Sequence, residues 1–130
     1  MAATYLDSSA IVKLAVREPE TDALRRHLRR RHTLITSALA RTEVFRALLP
    51  GGEGAVAAGR CVLSRIDLVC VNDQVLDRAG VLSPIELRSL DAIHLATAGR
   101  IGRDLDEIVT YDQRMALAAQ AMGHKVSSPS

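Results

Sequence analysis

Four acidic residues stand out among the fifteen of this 130-residue chain, because each sits beside apolar or small neighbours. Asp7 closes the run TYLD and Asp112 closes IVTYD, while Asp91 lies in SLDAIHLATAG and Glu43 in ARTEVFRALL. Most of the other acids keep polar company, as in REPETD and GRDLDE, where solvation accounts for them. If folding gathers the four into one pocket they cannot stay bare. Two like charges about 4 Å apart repel by about 4 kcal/mol at an effective dielectric near 20, so protons or a cation must relieve them. An all-oxygen donor set without thiolate or imidazole selects a hard divalent ion, Mg2+ or Mn2+, which keeps several of its waters. Such an ion lowers the pKa of a water and neutralises charge on a phosphodiester during in-line displacement.

Each acid also has a purely structural reading. Asp7 is a good helix N-cap, although Ser8 and Ser9 behind it could cap without a charge. Asp91 reads as a first-turn acid behind Ser89 as N-cap. Glu43 reads as a mid-helix acid in a helix whose start is signalled by Thr36 and Ser37. Its helical neighbours Ala40 and Ala47 are small enough to admit another backbone, while Arg46 offers a surface ion pair.

The elements that must position these residues alternate between short β-type runs and helical patterns. Strands are expected at residues 4–6, 33–36, 67–71, 108–110 and briefly at 125–126. Helices are expected near residues 9–16, 21–30, 40–49, 55–64, 74–82, 90–101 and 113–122. Such alternation implies a parallel sheet covered on both faces. In an open sheet of that kind ligands bind beyond the carboxyl ends of the strands, where Asp7 and Asp112 fall. Pro50 to Gly54, PGGEG, reads as a helix-to-helix connector, and no Gly-Lys-Ser/Thr follows it. With no G-x-G-x-x-G either, nucleotide cofactors lose most of their support. The tail SSPS is expected to fray.

Composition narrows the function classes. At 48% hydrophobic residues and mean hydropathy near zero, residues 1–130 suit one globular domain with a real core. The only apolar run near the start carries Asp7 and Lys13, which excludes a signal peptide or a membrane span and points to the cytosol. Cys61 and Cys70 lack metal or redox spacing and read as buried, reduced thiols. The net charge is only +2, yet among the 17 cationic residues all but Lys13 and Lys125 are arginine, whose planar fork suits phosphate. The densest run, RRHLRRRH from Arg25 to His32, reads either as a phosphate-facing patch or as a solvated helix end. Tyr5, Phe45 and Tyr111 are too few for a base-stacking platform, so backbone contact would dominate any nucleic-acid binding.

Taken in order, YLDSSAIVKL, ARTEVFRAL, SLDAIHLATA and VTYDQRMALAAQAMG resemble a PIN domain of the VapC toxin type across nearly the whole chain. The resemblance implies a three-layer α/β/α sandwich around a mostly parallel sheet of four to five strands. It also implies a Mg2+- or Mn2+-dependent endoribonuclease whose acidic pocket is Asp7, Glu43, Asp91 and Asp112, leaving 5′-phosphate and 3′-hydroxyl ends. Asp112 matches a position that shifts between branches of that family. Ser9 and Thr110 match polar supporting groups, and His94, one turn beyond Asp91, reads as a packing or supporting residue. A homodimer and a VapB-like antitoxin, whose C-terminal segment blocks the pocket, are implied as partners. Two alternatives stay open at this point. One is a phosphotransfer domain, receiver-like or haloacid-dehalogenase-like, which also places an Asp after its first strand. The other is an inert PIN module that only binds RNA or protein.

Overall fold

The computed structural model describes residues 2–130. Five parallel strands, β1 (Ala3–Leu6), β2 (Thr33–Ser37), β3 (Asp67–Val69), β4 (Leu105–Val109) and β5 (Val126–Ser127), form one sheet in the order β3-β2-β1-β4-β5. Seven α-helices cover it: α1 (Ser8–Ala15), α2 (Thr21–Leu28), α3 (Ala40–Leu48), α4 (Glu53–Leu63), α5 (Asp73–Ala79), α6 (Ser89–Ile101) and α7 (Gln113–Ala121). The chain steps outward from β1 through β2 to β3, then returns through α5 and α6 to β4 on the other side of β1. Strand order therefore reverses between β1 and β4, and a crevice opens above their carboxyl ends.

Side-chain alternation along the strands sorts the core into two layers. Leu6 and Val109 face one side, packing with Ile11 of α1, Leu24 of α2, Val44 of α3 and Leu63 of α4. Tyr5 and Ile108, one residue earlier on each strand, face the other side with Leu95 of α6 and Met115 of α7. A smaller cluster of Val75, Ala79, Ala92 and Ala96 seats α5 on α6. Burying apolar strands on both faces is what permits an all-parallel sheet, so the expected α/β/α sandwich is the fold. The connector after α3 is a 3-10 turn, Leu49–Gly51, followed by Gly52 at φ 85°, a left-handed conformation that a side chain would strain.

Several expectations need correction. β4 begins at Leu105, three residues before the expected start, because Glu107 is buried despite its acidic neighbours. Its carboxylate is bonded to His27 of α2, lies 3.4 Å from Arg31 Nε and accepts from Ser127 Oγ at 3.2 Å. His27 and Arg31 belong to the arginine-rich run, so that run is partly structural. Since α2 ends at Leu28 and β2 begins at Thr33, the run sits at the amino ends of the strands, away from the crevice. None of its residues lines the acidic cavity described below. The tail does not fray: Ser127 lies in β5, Ser128 Oγ donates to the Thr110 carbonyl, and Tyr111 Oη donates to the Pro129 carbonyl at 2.7 Å. Cys61 and Cys70 are exposed rather than buried. On α4 the buried positions are Gly59 and Leu63, which turns Cys61 outward, and Cys70 follows the edge strand β3.

Candidate active site

A cavity of about 470 Å3 lies above the β1–β4 crevice, and Asp7, Ser8, Ser9, Glu43, Asp91 and Asp112 line it together with Arg88 and His94. All four sequence-selected acids therefore reach one space. A shared reason places them there. Asp7 and Asp112 are the N-caps of α1 and α7, and Glu43 and Asp91 stand in the first turns of α3 and α6. Four helix N-termini converge on the cavity, and their dipoles and unpaired N–H groups favour anions. Glu43 is thus not mid-helix. Thr36 and Ser37 belong to β2, so α3 starts only at Ala40. Ala40 is buried beside it but Ala47 is exposed, and Glu43 makes no ion pair with Arg46. Likewise Ser89 does not cap α6; Arg88 occupies the cap position without a side-chain capping bond.

Asp7 is only 4% exposed. Its Oδ1 accepts from Ala10 N at 3.1 Å, capping α1, and from Ser9 Oγ at 2.6 Å. Its Oδ2 accepts from Thr110 Oγ1, just past the end of β4. Ser9 Oγ in turn accepts from Tyr111 N, and Thr110 Oγ1 from Asp112 N, so the two hydroxyls pin the β4–α7 turn against Asp7. Burial raises the Asp7 carboxyl above its ordinary value, and the bonds from Ser9, Thr110 and Ala10 together with the charge of His94 offset this only in part. Asp7 therefore caps α1 and also lines the cavity.

Glu43 behaves in the opposite way. Burial raises its carboxyl too, but the hydrogen bond from His94, the positive charge His94 carries when protonated, and the bond from Ser8 outweigh it and hold the group below its usual range. Ser8 Oγ donates to Glu43 Oε1 at 2.6 Å and His94 Nε2 donates to the same oxygen at 2.5 Å. His94 Nδ1 pairs with the Tyr5 hydroxyl at 2.7 Å, and burial pushes that phenol far above its ordinary value. A polar thread thus crosses the top of β1 from Tyr5 through His94 to Glu43. Ser8, Tyr5 and Arg88 carry no sequence signal of their own.

Arg88 Nε donates to Asp91 Oδ2 at 3.2 Å and its Nη2 to Asp112 Oδ2 at 2.8 Å. Asp112 Oδ1 caps α7 by accepting from Arg114 N and Met115 N. Among the described residues no three His, Cys, Asp or Glu side chains form a ready-made metal cage. The donor set nonetheless suits a hard divalent ion: its four carboxylates offer only oxygen, and Glu43 Oε2 and Asp91 Oδ1 have no protein partner among the described residues.

With this geometry in place, comparison with known proteins is informative. The PIN domain family matches residues 4–121. The chain is 64% identical to ribonuclease VapC46 of Mycobacterium tuberculosis strain H37Rv, over the full length of both, and 38% identical to ribonuclease VapC47 of strain CDC 1551, over 96% of each. In fold it is similar to the Mycobacterium tuberculosis VapC20 toxin, described as cleaving the sarcin-ricin loop, with a TM-score of 0.73 at 18% identity over 88% of this chain and 94% of the other. It is also similar to a chain of a toxin-antitoxin complex from Klebsiella pneumoniae, with a TM-score of 0.74 at 18% identity over 98% of each. The likeness in sequence settles the lineage: this chain belongs to the PIN domain family, as a member of the VapC type.

Proposed function

We propose that the protein is a Mg2+- or Mn2+-dependent endoribonuclease acting as the toxin of a toxin-antitoxin pair. The observation that carries this reading is the convergence of Asp7, Glu43, Asp91 and Asp112 at four helix N-termini around one cavity. A divalent ion bound there supplies Lewis acidity toward a water and the RNA phosphate. Asp7 and Asp91 would hold it, with Glu43 directly or through water. Ser9 and Thr110 aim the Asp7 oxygens, and Ser8 and His94 keep Glu43 ionised and fixed. Asp112, with Oδ1 spent on capping and Oδ2 on Arg88, acts through its neighbours.

The phosphotransfer alternative loses its support. Ser9 stands where a haloacid-dehalogenase-like phosphatase needs a second Asp, and its hydroxyl is bonded back to Asp7. An inert module is disfavoured because a bare acidic pocket repels phosphate.

Two partners follow from the same reading. A groove of about 360 Å3 beside α2 and α4, with Leu28, Val62 and Ile66 as its apolar floor and Arg25, Arg29 and Arg65 at its rim, suits an apolar and acidic segment of a VapB-like antitoxin. A homodimer has its candidate surface at Leu76, Val81, Ile85 and Leu117, all exposed. No helix among the described residues is long and apolar enough to cross a membrane.

Purified protein incubated with total cellular RNA tests the proposal. Cleavage in Mn2+ that stops in excess EDTA and in Asp7→Asn is the expected result; undiminished turnover in EDTA would overturn it.

A further inference from the structure

Arg88 is a positive charge in a cavity otherwise built to gather negative ones. Its guanidinium bridges Asp91 and Asp112, donating from Nε to one and from Nη2 to the other. Arg88 does not cap α6, and its side chain is 59% exposed, so it packs against little. Exposure of that order makes each ion pair nearly worthless for stability. What matters is where the charge sits.

We propose that Arg88 is a built-in counter-cation that takes up Asp112 and one oxygen of Asp91 and thereby restricts the protein to one divalent ion. The inference rests on the metal-dependent reading above. With Arg88 in place, both oxygens of Asp112 have protein partners: Oδ1 accepts from Arg114 N and Met115 N, and Oδ2 accepts from Arg88. Asp91 keeps Oδ1 free, and Glu43 keeps Oε2 free. These two unpartnered oxygens, beside an Asp7 carboxylate already bonded through both of its own, are enough for one ion and too few for two. Arginine stays charged at every working pH, so this restriction is permanent rather than titratable. A unit charge facing a doubly charged ion across a water-accessible gap of about 6 Å changes its affinity by a factor of about ten.

The test is a Mn2+ titration of the metal-free protein without RNA, followed by calorimetry and by the Mn2+ paramagnetic signal, for the wild type, Arg88→Gln and Arg88→Lys. The wild type is expected to bind one ion. Arg88→Gln is expected to bind a second, and to hold the first about tenfold more tightly. Arg88→Lys, which keeps the charge without the fork, should fall between them. Equal stoichiometry and affinity in wild type and Arg88→Gln, or two ions in the wild type, would overturn the inference while leaving the metal reading intact. Absence of Mn2+ binding in all three proteins overturns both.

Discussion

Glu43 and His94 come from helices packed on opposite faces of the sheet, α3 and α6, yet meet at 2.5 Å above the end of β1. The bond ties the two helical layers together at the functional end, and Tyr5 anchors it from below at 2.7 Å. His94 is 2% exposed, so this tie is made almost without water.

Replacing His94 by Ala leaves a cavity and strips both Glu43 and the Tyr5 hydroxyl of a partner. Denaturant unfolding should show a loss of about 2 to 4 kcal/mol. RNA cleavage by the fraction still folded should fall more than tenfold, and His94→Gln should recover part of the stability. Wild-type unfolding in His94→Ala would show that the tie contributes nothing.

Glu43 sets a pH dependence of stability. Because its folded pKa lies below the ordinary value of 4.5, its contribution is fully present above that value and is lost as pH falls through the lowered one. The difference in melting temperature between wild type and Glu43→Gln should therefore be constant from neutral pH down to about 5 and shrink on further acidification. A gap that widens in acid contradicts the assignment.

Asp7 has the reverse sign. Its folded pKa is raised by burial, so the fold is penalised once pH exceeds the raised value and is relieved on acidification toward the ordinary 3.8. Asn still caps α1 but carries no charge. Asp7→Asn should melt above the wild type in EDTA at pH 7 while its cleavage drops at least a thousandfold, a figure on the order of that for losing an essential electrostatic group. Scanning calorimetry in EDTA reads the first effect directly.

Glu107 is wholly buried at the far end of the sheet, holding α2 and β5 to β4 through His27 and Ser127. Glu107→Ala leaves these partners facing a void and should cost about 3 kcal/mol in urea unfolding. Protein that remains folded at low temperature should cleave RNA at the wild-type rate, since the residue lies away from the cavity.

Ile85 is 98% exposed in the segment between α5 and α6, near exposed Val81. If this surface is where two copies meet, Ile85→Asp should shift the light-scattering mass from dimer to monomer without altering the melting temperature of dilute protein by more than a few degrees. An unchanged dimer would place the interface elsewhere.

Much of this molecule was legible in one dimension because the relevant signals are local. The runs TYL, TLIT and IVT mark strands by their β-branched and aromatic residues, and the amphipathic helices between them dictate parallel pairing. The acids Asp7 and Asp112 announced themselves as charges breaking apolar runs at strand ends. Glu107 did not, because an acid flanked by Asp106 in a polar stretch looks solvated until His27 of α2 and Arg31 just beyond it arrive from distant sequence. Arg88 was equally silent, since nothing near it reveals that α6 and the β4–α7 turn bring Asp91 and Asp112 to the same guanidinium. The tail, too, looked free until Thr110 and Tyr111 gave it partners.

The amino-acid sequence by itself thus determined the layered parallel fold through hydrophobic period and the family through the resemblance of four stretches in order, and it singled out four acids by their short-range context. Tertiary structure alone decided which acid is strained and which is comfortable, and which oxygens remain free. Those properties depend on burial and on hydrogen-bond partners from distant segments, and no local pattern encodes them.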